Sequence, residues 1–319
     1  MLSAYIRYKF PNVIKGALSS SAPVAFNSEN NDCRNFFKIT TEAFKLYEGC
    51  DEIIRNSWEI FDFMDDDINK IFQELKICNN HDFYNHPDRK NILIKALEQR
   101  YYKLAIINYD QANAVGNNFP AWPIEKLCNQ MRENNEKGFL PNAKISHIKS
   151  VLKMTLPFVD GCYDILSASI EYTLPWDYQH CSEFMYAKCK SPEDMFYHGP
   201  DSLFLSGPST QKEHYQNNKK ASCLKKYNIS PDFTYLERTF GFFQDTKTYS
   251  NIIFTHGEFD PCLAGRPRIE SDLSRDIVMI DIKNASHHVE IMSRLGKDNE
   301  DVIIAREIIE KYFLKWMNE

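Results

Sequence analysis

The sequence predicts an α/β protein in which an open sheet is joined to a large, mainly helical segment. Two apolar runs near the C-terminus, residues 251–255 and 276–282, have the pattern of buried strands, and a loop follows each run. The last segment, residues 302–316, repeats apolar residues at the spacing of an amphipathic helix. Strand, loop, strand, loop and helix is the order found in open α/β sheets.

The N-terminal residues predict a helix followed by a third strand. Residues 1–10 have the pattern of an amphipathic helix that Pro11 ends. They show neither the apolar stretch nor the cleavage site of a signal peptide, so no signal peptide is expected in the chain. The apolar residues 13–18 then predict a buried strand, which residues 19–23 interrupt.

The middle of the chain predicts a different kind of structure. Between about residues 35 and 169, apolar side chains such as Trp58, Phe61, Ile68 and Phe72 recur at helical spacing. This spacing is typical of helices that bury one face. Residues 199–218 are polar without a regular pattern, and we expect a surface loop there.

Composition argues against a nucleic-acid-binding surface and against a membrane span. The chain has 319 residues with 38 basic and 44 acidic side chains, and its net charge is −6 when its 9 histidines are taken as neutral. A surface that binds nucleic acid should be basic, so no nucleic-acid partner is expected. The sequence has no run of 18 apolar residues, so no membrane span is expected.

Nine cysteines point to an oxidising compartment. None of them forms a C-x-x-C pair, so zinc-ribbon and thioredoxin-type sites have no support. Widely spaced cysteines suit a secreted or lysosomal protein with disulfides, and nine buried free thiols are the alternative. Two N-glycosylation sequons, at Asn228 and Asn284, favour the first interpretation.

Polar residues with catalytic chemistry follow the two C-terminal strands. Asp260 comes in the loop after the first strand, and His287 and His288 come in the loop after the second. In α/β-hydrolases the nucleophile precedes the acid, and the acid precedes the histidine. There the histidine takes the proton of the nucleophile, and the carboxylate orients the imidazole. A turn-forming Asp before Pro261 and a solvent-exposed histidine pair are the alternatives.

Four motifs, in matching order, resemble the prolyl carboxypeptidase family of serine peptidases. Residues 251–261, N-I-I-F-T-H-G-E-F-D-P, resemble its N-I-[VI]-F-S-N-G-x-L-D-P-W, and residues 285–290 resemble its G-A-H-H-L-D. Residues 176–183, W-D-Y-Q-H-C-S-E, resemble its W-x-Y-Q-x-C-T-E. Residues 20–24, S-S-A-P-V, resemble the A-S-A-P-[IV] that follows the family's nucleophile by one helix and one strand.

The resemblance implies an α/β-hydrolase domain, residues 1–26 and 236–319, with a mainly helical, disulfide-linked cap over residues 27–235. It implies that Asp260 is the acid and His287 the base of a Ser-Asp-His triad. The expected reaction is hydrolysis after proline, by a carboxypeptidase or a dipeptidyl peptidase, with no cofactor and no metal. The expected partners are peptides with proline near a terminus and a second copy in a homodimer. The expected location is lysosomal or extracellular.

The resemblance also implies how the cysteines pair and where the site departs from the family. The implied disulfides are Cys33–Cys189, Cys50–Cys128, Cys78–Cys162 and Cys181–Cys223. The ninth cysteine, Cys262, replaces the tryptophan of D-P-W, and we expect a free thiol beside the site. His256 replaces the asparagine before the glycine, and residues 289–290 replace L-D with V-E.

The chain contains no G-x-S-x-G, the motif that presents the nucleophile in such enzymes. The family's G-G-S-Y-G-G is usually followed by Met, which is the first residue here. We therefore expect that the serine and the N-terminal half of the hydrolase sheet are missing, and that the chain as given is inactive. A catalytically dead, secreted binding protein is the alternative. A metal site of His287, His288 and Cys262 is a third interpretation.

Overall fold

The structure is a computed structural model of the chain. It describes residues 1–26, 28, 31–63, 68–79, 81–114, 119–137, 140–165, 174–184, 186–197, 206–293 and 298–319. The expected end of the helical pattern, at about residue 169, lies outside the described residues.

The described residues form mainly helices. The α-helices are α1 (Leu2–Lys9), α2 (Asn35–Lys45), α3 (Cys50–Ser57), α4 (Ile60–Phe63), α5 (Ile68–Glu74), α6 (His81–Tyr84), α7 (Arg89–Ile106), α8 (Pro123–Lys137), α9 (Leu140–Thr155), α10 (Leu174–Ser182), α11 (Pro208–Tyr227), α12 (Tyr235–Phe240) and α13 (Glu300–Asn318). The strands are β1 (Ala17–Ser20), β2 (Phe158–Val159), β3 (Cys162–Tyr163), β4 (Ile252–Gly257) and β5 (Ile277–Ile282).

The predicted terminal helices and the two predicted C-terminal strands are thereby confirmed. None of the described helices is apolar over a length that would cross a membrane.

The described chain divides into two compact units. The sheet unit contains Met1–Ile39, Tyr178–Cys189 and Pro208–Glu319, and the helical unit contains Thr40–Asp177 and Lys190–Gly207. The hydrolase and cap boundaries that the family resemblance implied stay a prediction.

The sheet unit is built on a parallel sheet in the order β1–β4–β5. Ala17 lies opposite Ile252, and Ile252 lies opposite Ile277, so the carboxyl ends of the three strands meet at one edge. Every residue of the central strand β4 is buried. One apolar cluster joins the sheet to α13: Ile253, Val278, Ile309 and Trp316. This packed layer supports the loops that leave the carboxyl edge.

The first strand lies further along the chain than the sequence predicts. The predicted bounds 13–18 are wrong, because the strand is Ala17–Ser20 and Val13 is 79% exposed. Pairing with β4 determines where the strand runs. The preceding chain passes so close to α13 that a Cβ on Gly16 would lie 2.1 Å from the ring of Trp316. The strand consequently ends at Ser20 and brings polar side chains to the carboxyl edge.

A long polar helix occupies part of the predicted surface loop. Helix α11 shows that the loop prediction is wrong from residue 208 onward, and residues 199–205 lie outside the described residues. Pro208 stands at the first helical position, where a missing N–H costs no hydrogen bond. The buried residues of α11 are Gln211 and Cys223, so it lacks the apolar periodicity by which a helix is recognised.

The helical unit packs around aromatic side chains. The rings of Trp58 and Tyr101 lie 5.9 Å apart, and both side chains are at most 1% exposed. Trp58 donates its indole N–H to the carbonyl oxygen of Met195 at 2.8 Å. The antiparallel pair β2–β3 is a small second sheet of this unit. The predicted amphipathic helices therefore have a common core.

Four disulfides lie within the units. Cys33–Cys189 and Cys181–Cys223 close the sheet unit, and Cys50–Cys128 and Cys78–Cys162 close the helical unit. They are the same four pairs that the family resemblance implied. Cys262 is a free thiol.

Candidate active site

Asp260 follows β4 in a turn that its own side chain starts. Its Oδ1 accepts a hydrogen bond from the backbone N–H of Cys262 at 2.9 Å, and Pro261 begins the 3₁₀ turn Pro261–Gly265. A capping Asp followed by proline is a favourable sequence for such a turn, because the side chain satisfies an otherwise unpaired N–H. The Asp260 side chain is fully buried.

His287 meets Asp260 from the loop after β5. Its Nδ1 lies 2.9 Å from Oδ2 of Asp260, and its side chain is 21% exposed. Gly257, at the end of β4, permits the approach of this loop, since a Cβ there would lie 2.4 Å from the carbonyl oxygen of Ser286. When Nδ1–H donates to the carboxylate, Nε2 is the basic nitrogen of the imidazole.

Two serines at the carboxyl end of β1 hold the neighbouring histidine. Ser20 Oγ lies 2.5 Å from Nδ1 of His288. Ser21 Oγ accepts the backbone N–H of His288 at 3.0 Å and donates to the carboxylate of Asp260. The rings of His287 and His288 are 3.7 Å apart. The sequence analysis missed both serines as site residues, although their place after a strand of the same sheet was a usable signal.

Electrostatics favour an ionised acid beside a neutral second histidine. Burial alone raises the pKa of Asp260. Four interactions outweigh burial and hold that pKa below its usual value. They are the hydrogen bond and the charge of His287, the N–H of Cys262 and the hydroxyl of Ser21. Burial, and then the charge of His287, lowers the pKa of His288 to about 4. At neutral pH, Asp260 is a carboxylate and His288 is uncharged.

Two residues at which the chain departs from the family motifs, His256 and Glu290, are buried in the sheet unit. His256 is 1% exposed, and its Nε2 is 3.3 Å from the carbonyl oxygen of Ala22. Burial lowers the pKa of His256 to about 4. Glu290 is buried and accepts a hydrogen bond from Thr255 Oγ1 at 2.5 Å. These contacts tie β4 to the segments on either side of it.

The free thiol of Cys262 lies beside the acid. Burial, and then the charge of Asp260, raises its pKa well above the ordinary value, so it is a protonated, weakly nucleophilic thiol at neutral pH. One ligand atom each of Asp260, Cys262 and His287 lies within 4.8 Å of the other two, so these three residues could hold a metal ion. The metal interpretation of the sequence named His288 and omitted Asp260, and it therefore differs from this group.

A cleft of about 750 Å³ opens beside the turn that follows Asp260. Its lining includes His256, Leu263, Arg266 and Asp281, but neither Asp260 nor His287. This cleft and the acid–histidine pair are therefore different places in the sheet unit.

The two sequon asparagines are accessible. Asn228 and Asn284 are both exposed, and both have a positive φ, +55° and +52°, in turns. Glycosylation at either residue stays a prediction.

The arrangement is an acid–base pair. A buried carboxylate that bonds one nitrogen of a partly exposed imidazole can orient the ring and stabilise the imidazolium that forms. The imidazole can then take a proton from a hydroxyl or a water that lies within hydrogen-bonding distance of the other nitrogen.

The comparison with known families identifies the family of the chain. Residues 1–309 match the family described as serine carboxypeptidase S28. The chain belongs to that family. S28 peptidases are serine peptidases of α/β-hydrolase-like fold, and a small parallel sheet in the order β1, β4 and β5 is compatible with that fold.

Individual relatives are similar over nearly the whole chain. The mouse lysosomal Pro-X carboxypeptidase is 26% identical over 99% of this chain and 62% of its own length. The human lysosomal Pro-X carboxypeptidase is 24% identical over 100% of this chain and 62% of its own length. Prolyl carboxy peptidase like protein 5 of Caenorhabditis elegans is 25% identical over 100% of this chain and 64% of its own length. The chain thus spans less than two thirds of the length of these relatives.

Proposed function

We propose that this S28 chain carries the acid and the base of a serine exopeptidase that hydrolyses peptide bonds after proline. One observation carries the proposal: a fully buried carboxylate, Asp260, bonds a partly exposed imidazole, His287, at 2.9 Å on the carboxyl edge of a parallel sheet. The S28 family supports a serine peptidase, and the Pro-X carboxypeptidases among its relatives support the preference for proline.

In the proposed reaction His287 is the general base and Asp260 its partner. His287 accepts the proton of a serine as that serine attacks the carbonyl carbon of the scissile bond, and returns it to the leaving group. Asp260 keeps Nδ1 protonated and stabilises the positive imidazole. Water then cleaves the acyl ester, again with His287 as base.

The serine itself is proposed to come from residues joined to Met1 in a longer protein, because the chain has no G-x-S-x-G. Support comes from the position of Met1, whose α-amino group interacts electrostatically with Cys262 and His288. Without the serine, we expect hydrolysis to be slower by about a million-fold, so the chain alone is inactive.

The proposed substrates are peptides with proline near one terminus, and the proposed location is the lysosome or the extracellular space. Lysosomal relatives support this location. The four disulfides and the two exposed sequon asparagines also suit an oxidising, secretory environment.

The test begins with the reading frame upstream of Met1. The whole frame is expressed and assayed on two peptides, one with proline before its last residue and one with proline second, each blocked at its other terminus. We expect cleavage of one of them, and D260N and H287Q should each lower kcat by about 10⁴-fold or more.

Matched variants separate catalysis from folding. D281N and H214Q change an exposed aspartate and an exposed histidine of the same unit and should keep full activity. Full activity in H287Q would contradict the proposal. An upstream frame without a nucleophile serine would also contradict it, and would leave a noncatalytic binding protein.

A further inference from the structure

Asp260, Cys262 and His287 offer one oxygen, one sulfur and one nitrogen within 4.8 Å of one another. Carboxylate, thiolate and imidazole are all ligands of Zn²⁺, and three protein ligands with one open position are the usual set in zinc sites that are not purely structural. Cys262 stands where the family motif has tryptophan, so the set of three ligands is not a part of that motif.

The distances suit a zinc ion after a small movement. Zn–S and Zn–N or Zn–O bonds of about 2.0–2.3 Å place tetrahedral ligands about 3.5 Å apart. His287 Nδ1 and Asp260 Oδ2 are 2.9 Å apart, so these two residues need to separate slightly. Since no two of the three ligand atoms are more than 4.8 Å apart, Sγ of Cys262 has to approach the other two atoms by at most about 1.3 Å.

The charges also suit a divalent cation. Asp260 supplies a carboxylate whose side chain is fully buried. A metal-bound thiol loses its proton. One carboxylate and one thiolate then balance the two positive charges, so the occupied site is neutral where burial disfavours a net charge.

We propose that Asp260, Cys262 and His287 form a zinc site in which the metal competes with the protons of the acid–base pair. On binding, the S–H bond of Cys262 breaks, a Zn–S bond forms, and that proton passes to solvent. The Nδ1 proton of His287 is exchanged through solvent for one on Nε2, which frees Nδ1 for the Zn–N bond without further proton release. No electrons are transferred. While zinc is bound, a nitrogen and an oxygen of the acid–base pair are occupied, so the site would act as a reversible off-switch for proton transfer. Binding itself does not depend on the proposed peptidase reaction.

The experiment measures binding by the purified 319-residue chain. Co²⁺ is added first, because a cobalt–thiolate bond gives a near-ultraviolet charge-transfer band, and Zn²⁺ then displaces it in a competition titration. We expect one metal per chain, the thiolate band, and the release of about one proton per zinc when calorimetry is repeated in different buffers.

The variants test each ligand. C262S and C262A should abolish the cobalt–thiolate band and weaken zinc binding at least tenfold, and H287Q should weaken it similarly. D260N removes a fully buried carboxylate and can unfold the sheet unit, so the two Cys262 variants decide the outcome. H214Q, at an exposed histidine, is the matched control and should bind like wild type.

Three results would overturn the zinc site. They are the absence of a thiolate band in the wild type, zinc binding by C262A with wild-type affinity, and equal losses in H287Q and H214Q. Peptidase activity enters none of these measurements, so they succeed or fail independently of the proposed function.

Discussion

The hydroxyl of Ser20 contacts Nδ1 of His288 at 2.5 Å, which links the end of β1 to the loop that carries the candidate base. The ring of His288 in turn lies 3.7 Å from the ring of His287. Since burial lowers the pKa of His288 to about 4, this ring is neutral at neutral pH and has one N–H. A hydroxyl that donates to Nδ1 selects the tautomer with the proton on Nε2.

We predict that S20A releases His288 from this single tautomer. The ring nitrogens of His288 should report one tautomer in the wild type and a mixture in S20A at pH 7, as measured by ¹⁵N NMR. S20T keeps a hydroxyl and should restore the wild-type pattern. An unchanged pattern in S20A would show that Ser20 does not orient this ring.

Gly257 permits the close approach of the two loops that carry Asp260 and His287. We predict that G257A destabilises the sheet unit by about 1–3 kcal/mol, because the new Cβ would lie 2.4 Å from the backbone oxygen of Ser286 and overpack that contact. The His287 loop must then move away from Asp260. Chemical denaturation measures the loss, and the NMR resonance of the Nδ1 proton reports the hydrogen bond.

Gly207 offers the matched control for this substitution. A Cβ on Gly207 would meet nothing within 4 Å, so G207A should leave both the stability and the Nδ1 resonance unchanged. Wild-type behaviour in G257A would mean that the two loops do not need the close contact.

Asp194 should make the helical unit more stable in acid. Burial raises the pKa of Asp194 to about 6, although its carboxylate accepts the N–H of Ser191 at 2.7 Å. A raised pKa favours the protonated folded form. The contribution of Asp194 to the free energy of unfolding is therefore complete below about pH 4. It is lost as the pH rises through 6, which changes that free energy by about 3 kcal/mol.

We predict that D194N removes this pH dependence while keeping an acceptor for Ser191. Hydrogen exchange of residues 93–105 in α7, measured between pH 4 and 7, would report it. E133Q, at an exposed glutamate of the same unit, should keep the wild-type profile. A flat profile in the wild type would contradict the prediction.

His256 should have the opposite effect in the sheet unit. Its buried ring has a pKa lowered to about 4, so the unfolded chain binds more protons between pH 6.5 and 4. The contribution of His256 to the free energy of unfolding is therefore complete above about pH 6.5. About 3 kcal/mol of this contribution is lost as the pH falls through 4. His288, whose pKa is also lowered to about 4, adds to the loss.

We predict that H256N, which introduces the residue of the family motif, reduces the acid sensitivity of the sheet unit by about half. Hydrogen exchange of residues 252–257 in β4 measures this stability, with H214Q as the control. An unchanged loss of protection in H256N would mean that other groups cause the acid sensitivity.

Local patterns predicted the fold where one physical effect dominates. β4, β5 and α13 have strong apolar patterns, and the structure contains them with small shifts of their ends. The bounds of β1 differ from the predicted bounds because the strand is defined by its pairing with β4 and by the close contact of Gly16 with Trp316. Neither contact can be read from a local sequence pattern. α11 was missed because its outward faces are polar and its burial is confined to two residues.

In the candidate site, too, some residues could be predicted from local patterns, whereas others depend on contacts between distant parts of the chain. Asp260 and His287 could be proposed from their places after successive strands and from family motifs. The roles of Ser20 and Ser21 depend on hydrogen bonds across about 270 residues, which spacing does not encode. The nearness of Cys262 to His287 likewise appears only when β4 and β5 lie side by side.

The pairing of β1 with β4 has a consequence for synthesis on the ribosome. Ala17 needs Ile252 as its neighbour, and at about 5–20 residues per second the intervening chain takes roughly 10–50 s to emerge. Residues of the helical unit emerge within that interval and can fold first, whereas β1 waits with unpaired N–H and C=O groups. A nascent chain of this protein should therefore depend on chaperones until the last hundred residues appear.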